Sequence, residues 1–418
     1  MTAQGNVNQP HADGMQDGQW LGPLAGIKVL DLSRVLAGPY TTMLLGDLGA
    51  EILKIEPPGT GDDIRVMAPF INGESHYFLA MNRNKKSLVI DLKTPEGVGI
   101  FLDLVRKADV VVENYRPGVM DSLGLGYERL TAINPRLVYC SISGFGATGP
   151  LREKPSFDIV TQALSGVFSM NGEPGRPPVK LGLPLGDMVG GVYGSLAIVS
   201  AIHERSTTGR GRQVDISLLD GMLGMLGYLA QIYFVTGKNP VLTGSKHPNV
   251  TPYAAFPASD GFLVVACLNQ GFWENFANAL GRPDFLQDPR FTNLQARLKH
   301  REVLEAEIEA IMIQRSMSEW QEILERFDVP HSPILTVGDA LESEHARARN
   351  MVVTARHSTA GDIQLVGRPI KYVGAEQAPL TAPPALGEHT RQVLFDELGY
   401  SAELLDSLEQ TGVINRRG

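Results

Sequence analysis

The chain has 418 residues, 43% of them apolar and 20% charged, with a formal net charge of −9 at neutral pH. That length allows two domains with buried cores, and that composition excludes the disordered, collagen-like and coiled-coil classes. The acidic balance argues against nucleic acid as a general partner, because phosphate binding needs a basic face. No uninterrupted apolar run reaches the roughly 20 residues of a membrane span.

Residues 1–22 are polar and carry no signal-peptide core, so they are expected to form a disordered leader. Ordered sequence starts at Pro23. IKVLDL is an apolar, β-branched strand, GPYTTMLLGDLGAE repeats its small and apolar residues at helical spacing, and EILKIE is a second strand. The alternation continues through KKSLVIDL, the helix TPEGVGIFLDLVRKA with Thr94 as cap and Pro95 in its first turn, DVVVENY and PRLVYCSIS. Near-continuous apolar strands joined by helices imply a parallel sheet covered on both faces.

From Leu196 the pattern is helical, apart from a β segment in TGRGRQVDISLLDG (208–221). Residues from about 240 read as a β hairpin (YAAF, turn SDG, FLVVACL), then amphipathic helices bearing Phe272, Trp273 and Phe276, closed by one long charged helix ending near Phe327. This stretch is assigned to a smaller α+β domain, 226–330. The short strands and the helix of PPALGEHTRQVLFDELGY then return to the first domain. A large α/β domain is therefore expected from 23–225 and 331–418, with the smaller one inserted.

Cys140 and Cys267 lie in apolar β-branched surroundings, without CxxC spacing or a basic neighbour. They read as buried thiols of a reducing, cytoplasmic compartment rather than as nucleophiles. GFGATG (144–149) matches a dinucleotide fingerprint, but Pro150 follows where a helix must open, so the glycines read as a closely packed loop. NRNKKS (82–87), Lys93 and ENYRPG (113–118) fall at strand ends or helix starts, where open α/β sheets bind anionic ligands. Asp187, between Gly186 and the Gly190-Gly191 pair, opens an apolar helix with no cation close in sequence. On spacing alone it reads either as a helix cap or as a carboxylate that glycines leave open to a bulky group.

In order along the chain, PLAGIKVLDLSRVLAGPYTTMLLGDLGAEILKIEPP, NRNKKSLVIDLKTPEG, VVENYRPGVMDSLGLGYE, INPRLVYCSISGFGATGP, LGDMVGG, TGRGRQVDISLLDG and LGEHTRQVL resemble the class III CoA-transferase family, also called CaiB/BaiF. The resemblance implies a Rossmann-like large domain built from both chain ends, an interlocked homodimer and an enzyme that moves coenzyme A between carboxylic acids. Acyl-CoA thioester and carboxylate are its substrates, with no metal and no permanently bound cofactor. It makes Asp187 the nucleophile, which becomes an aspartyl-CoA thioester. It places CoA contacts at Leu36 and Ala37, at Ile90, Asp91, Leu92 and Lys93, and at Asn114, Tyr115 and Arg116.

Two family arginines are replaced here by Pro57 and Ser122, so Lys54, Arg65, Lys85 or Lys86 is expected to take over phosphate contacts, with Arg65 assigned to the CoA site. Racemases of the family carry a histidine where this chain has Phe157. Racemisation needs an acid/base group on each face of the α-carbon, so transfer is favoured and an α-methylacyl-CoA racemase is the alternative. The Gly190 and Gly191 amides are candidate oxyanion donors, and Trp273 with the His247-Pro248 loop a candidate cover. Context resembles members that handle small dicarboxylates with succinyl-CoA as donor.

Overall fold

The computed structural model of the chain describes residues 15–16, 19–375 and 377–415. Six strands form one all-parallel sheet: β1 (Lys28–Asp31), β2 (Glu51–Glu56), β3 (Lys85–Val89), β4 (Val110–Glu113), β5 (Val138–Ser143) and β6 (Gln213–Ser217). Their order is β3-β2-β1-β4-β5-β6, the order of doubly wound nucleotide-binding sheets. Alternate residues divide between two cores, as a period of two requires. Leu30, Leu53, Val111 and Tyr139 face Ile100, Phe101 and Leu104, whereas Val29, Ile52, Val110, Val138 and Cys140 face Ala37, Leu45 and Ile198. Apart from edge strand β6, where Gln213 and Asp215 are exposed, the sheet is thus buried on both faces, which explains why its other strands lack polar alternation.

Local chemistry fixes the helices of the first core. Helix α2 (Pro95–Val105) starts where the Thr94 hydroxyl accepts from Gly97 N at 3.0 Å, with Pro95 at its first position. On the other face, α1 (Ala37–Asp47) packs against α4 (Leu185–Thr208). A Cβ on Gly191 would sit 2.6 Å from Tyr40 Cδ1 and 3.1 Å from Ala37 O, so glycine is what lets these backbones approach. Helix α4 is long and apolar enough to cross a membrane, which corrects the expectation that no segment is. Its glycines, serines and charged final turn hide that character from a search for an unbroken apolar run.

Packing divides the chain into two units: one of residues up to Ser165, Leu181–Tyr228 and Ala348 onward, the other Gly166–Lys180 and Leu229–Arg347. The boundaries read at 226 and 330 therefore fall at 229 and 347, and 166–180 joins the smaller unit. In the larger unit, Val393, Leu394, Leu405 and Leu408 enter the first core, and Asp91 N donates to Val413 O at 2.8 Å. Part of the expected leader is ordered: Met15–Gln16 pairs with Gln19–Trp20, and the Trp20 ring meets Tyr372 edge-on at 5.0 Å. The rest of that leader, 1–14 and 17–18, lies outside the described residues.

The smaller unit has a three-stranded antiparallel sheet, Tyr253–Ala258, Gly261–Ala266 and His331–Pro333. Phe256, Trp273, Phe276, Phe285 and Trp320 fill its core. The long charged helix is in fact three, Leu294–Lys299, Arg301–Met312 and Met317–Arg326, the last opened by a Ser316/Glu319 capping box. Trp273 is fully buried and stacked on Phe285 at 6.1 Å, so it supports this core and does not serve as a cover.

Candidate active site

Helix α4 begins after Pro184 with no side-chain cap of its own residues. Its free amides are met from another element. Asp158, the first residue of α3 (Asp158–Leu164), accepts Gly186 N on Oδ1 at 2.7 Å and Asp187 N at 3.4 Å. Its Oδ2 accepts from Gln162 Nε2 at 2.6 Å, and the same amide group donates to Leu183 O at 3.1 Å and accepts from Leu181 N at 3.0 Å. Glycine is required at 186, where a Cβ would lie 2.6 Å from Thr161 Oγ1 and 3.1 Å from Asp158 Oδ1. The cap reading of Asp187 is thereby excluded: Asp158 caps the helix, and Asp187 is its third residue.

Freed from capping, the half-buried Asp187 carboxylate has no hydrogen bond or ion pair among the described residues. Burial and then the nearby Asp158 charge raise its pKa to about 7. The half-buried Tyr77 hydroxyl is pushed up to about 12, by burial first and then by the charges of Asp187 and Asp158. The Gly190 and Gly191 amides are not oxyanion donors, because both sit inside the helix, where each N–H is directed at the carbonyl four residues earlier. Among the first-turn amides, Gly186 and Asp187 face Asp158, and Met188 N donates to Pro184 O at 3.0 Å.

Asp187 lies one turn before Gly191, which rests on Ala37 O at the start of α1. That start belongs to the loop after β1. Strand order reverses between β1 and β4, and ligands bind outside the carboxyl ends of strands at such a switch point. The Asn114 carboxamide, just past β4, clamps the loop by accepting Arg34 N at 2.8 Å and donating to Arg34 O at 2.7 Å. Val35 is held at φ 66°, a conformation costly for a β-branched residue, and its N–H donates to buried Asp62 at 3.1 Å. Leu36 and Ala37 are buried, Tyr115 is half-buried and Arg116 exposed. Of the residues assigned to CoA, Leu36, Ala37, Asn114, Tyr115 and Arg116 therefore meet at the switch point.

Ile90, Asp91, Leu92 and Lys93 do not join them. They follow edge strand β3, two strands or roughly 10 Å away, where Ile90 is buried and bridged to Ile414 while Lys93 is exposed. The substitute cations are mostly committed elsewhere. Lys54 is buried against Asp62 at 2.9 Å and donates to Ser33 O at 2.8 Å. Lys85 is buried against Asp31 at 3.0 Å, and burial above all brings it down to about 8. Arg65 commits its fork to Glu56, at 2.7 Å twice, with its guanidinium 3.5 Å from the Phe78 ring centroid. Lys86 pairs with Glu51 at 2.5 Å. Each partner lies on another strand or loop, and for Lys85 two strands away, invisible to local spacing.

The remaining expectations sort clearly. GFGATG opens no helix and packs against side chains rather than backbone, with Ser156 filling the space beside Gly144 and Asp215 accepting Ala147 N at 2.9 Å. Phe157 is 74% exposed and offers no acid/base group. Both cysteines are buried, with their thiols pushed up by burial, Cys267 to about 12. Sequence reasoning missed Asp158 and Tyr77. Asp158 directly follows the racemase position at Phe157, but only the tertiary fold sets it against α4.

The family model for CoA-transferase family III matches residues 24–390. The acetyl-CoA:oxalate CoA-transferase of Acetobacter aceti is 40% identical over 354 residues, 84% of this chain and 90% of that protein. The succinyl-CoA:glutarate CoA-transferase of Mus musculus is 36% identical over 395 residues, 94% of this chain and 91% of that protein. The crystal structure of a CaiB/BaiF family protein from Brucella suis superposes with a TM-score of 0.80 at 37% identity, covering 89% of this chain and 98% of that one. A parallel sheet in nucleotide-binding order, with an unpaired carboxylate beside its switch point, thus occurs in a chain that matches these transferases over most of its length: it belongs to CoA-transferase family III and is an enzyme that transfers coenzyme A.

Proposed function

We propose that Asp187 is the nucleophile of this transfer and that small dicarboxylic acids are its substrates. The observation that carries the first part is the carboxylate's isolation: at the start of α4 it has no cation, and Asp158 is its charged neighbour. Burial without a counter-ion makes the carboxylate more basic, hence more nucleophilic, and its charge spreads onto the substrate as it attacks.

Asp187 attacks the donor thioester, the C–S bond breaks, and a mixed anhydride and CoA thiolate result. The thiolate attacks the aspartyl carbonyl, releasing the donor acid and leaving an aspartyl-CoA thioester. The acceptor carboxylate attacks that thioester, forming a second anhydride and again expelling thiolate. Attack of the thiolate on the acceptor carbonyl gives the new acyl-CoA and restores Asp187. One anion enters and one leaves at each step, so no proton moves and a single carboxylate suffices. Tyr77, whose hydroxyl feels the charge of Asp187, is the donor we assign to an oxyanion formed there.

Dicarboxylate specificity draws on the relatives named for oxalate and glutarate, and succinyl-CoA is the donor proposed from the glutarate relative, the oxalate one being named for acetyl-CoA. The exposed apolar residues Phe157, Leu183, Leu196, Leu223 and Met225 support burial against a second copy, in an interlocked homodimer whose Rossmann-like large domain is built from both chain ends. The buried thiols suit a cytoplasmic setting.

Trapping tests the nucleophile. Incubation with succinyl-CoA followed by borohydride or hydroxylamine should modify Asp187, located by mass spectrometry of its tryptic peptide. Modification of Cys140 or Cys267 instead overturns the assignment. Deuterium entering the α-carbon of an α-methylacyl-CoA without an acceptor acid would establish the racemase.

A further inference from the structure

The family resemblance places two arginines where this chain has Pro57 and Ser122, and the nearby Lys54, Lys85 and Arg65 are held by Asp62, Asp31 and Glu56. Arg34 is different. Its side chain is 37% exposed, and among the described residues its ion pair is a long 3.5 Å contact with Asp63, itself 59% exposed, beside an interaction with the Tyr115 hydroxyl. Its Nε is buried without a hydrogen-bond partner, and its guanidinium stands 4.9 Å from the Tyr115 ring centroid.

The backbone around Arg34 is fixed from both sides. Asn114 holds its N–H and its carbonyl, and buried Asp62, paired with buried Lys54, holds the next N–H with Val35 in a left-handed conformation. A surface arginine serving only solubility needs none of this. Such preorganisation is what recognition of a planar or tetrahedral anion requires, because less freedom is lost on binding. The adjoining cavity of about 430 Å³, which Tyr115 also lines, carries the carboxylates of Glu113, Asp121, Glu128, Glu153 and Asp215 against the cations of Arg116 and Arg152, an excess of acid that disfavours phosphate. The diphosphate is thereby directed to the Arg34 side of Tyr115.

We infer that Arg34 is the cation that binds the diphosphate of coenzyme A in this chain, exchanging Asp63 for phosphate when the thioester docks at the switch point. The inference rests on the CoA-transfer reading and adds to it a specificity residue that recognises the nucleotide end rather than the acyl end. Arg34 takes no part in bond making.

The test is calorimetric titration of CoA and of pantetheine, which lacks the nucleotide and its phosphates, into the full chain and into Arg34→Met and Arg34→Lys. A charged hydrogen bond of this kind corresponds to about tenfold to hundredfold in affinity. CoA should bind Arg34→Met at least about tenfold more weakly, Arg34→Lys should fall between, and competition by pantetheine should not change. Equal weakening for both ligands would assign Arg34 to loop structure, and undiminished CoA binding would remove it from the site; either overturns the inference. A chain without substitutions that binds no CoA instead overturns the underlying reading, which Arg34 variants do not test.

Discussion

Replacing Asp187 by asparagine keeps the side chain's shape and removes its charge, so the substitution separates chemistry from folding. Raising the carboxyl from 3.8 to about 7 is, at about 1.4 kcal/mol per unit, equivalent to ~4 kcal/mol of folding free energy. Asp187 is half-buried, and solvent screening reduces this to about 2 kcal/mol. The sign follows from linkage. Below the unfolded value both states are protonated and the carboxyl costs nothing. As pH rises toward about 7 the unfolded chain ionises first, and stability falls. Above the folded value the full penalty is present. The Asp187→Asn variant should therefore be as stable as the parent in acid and more stable in base, by about 2 to 3 °C in Tm for a chain of this size. Thermal or urea unfolding of both proteins near pH 3.5 and near pH 8 measures it, with about a third of the advantage already present near pH 5. Transfer should at the same time fall by about a thousandfold or more, as for other lost nucleophiles. An advantage of equal size at both pH values, or a variant less stable at pH 8, would refute the claim that Asp187 is an uncompensated charge. Substantial turnover by the folded variant would refute its role.

Asp158→Asn retains the oxygen that caps Gly186 N while removing the neighbouring charge, so the Asp187 pKa should fall and the acidic limb of the pH profile of kcat/KM should move to lower pH; an unmoved limb would mean burial alone sets it. Gly191→Ala pushes a methyl against Tyr40 and Ala37 O, and overpacking should outweigh the gain in helix propensity, lowering stability by about 1 to 3 kcal/mol in urea unfolding.

Much of this protein is legible one segment at a time. Runs such as Val110–Val112, buried on both faces, announce central parallel strands because only such strands exclude water from every side chain. Thr94 and Pro95 mark a helix start because a hydroxyl cap and a missing N–H suit that position alone. The order of motifs carries the family and, through it, Asp187. Segment boundaries are harder to read: the charged helix of the smaller unit breaks into three, because His300 and Ser316 interrupt a pattern whose apolar period continues.

What the sequence could not supply is the state of each charge. Lys54, Lys85 and Arg65 look like free cations along the chain and are neutralised by Asp62, Asp31 and Glu56 only once the strands are paired. Asp187 looks like a helix cap until Asp158, 29 residues earlier, takes that place. Backbone conformation answers to neighbours within a few residues, and so it can be read locally. Desolvation and Coulomb interaction act through space, and which groups they join is decided by the tertiary fold.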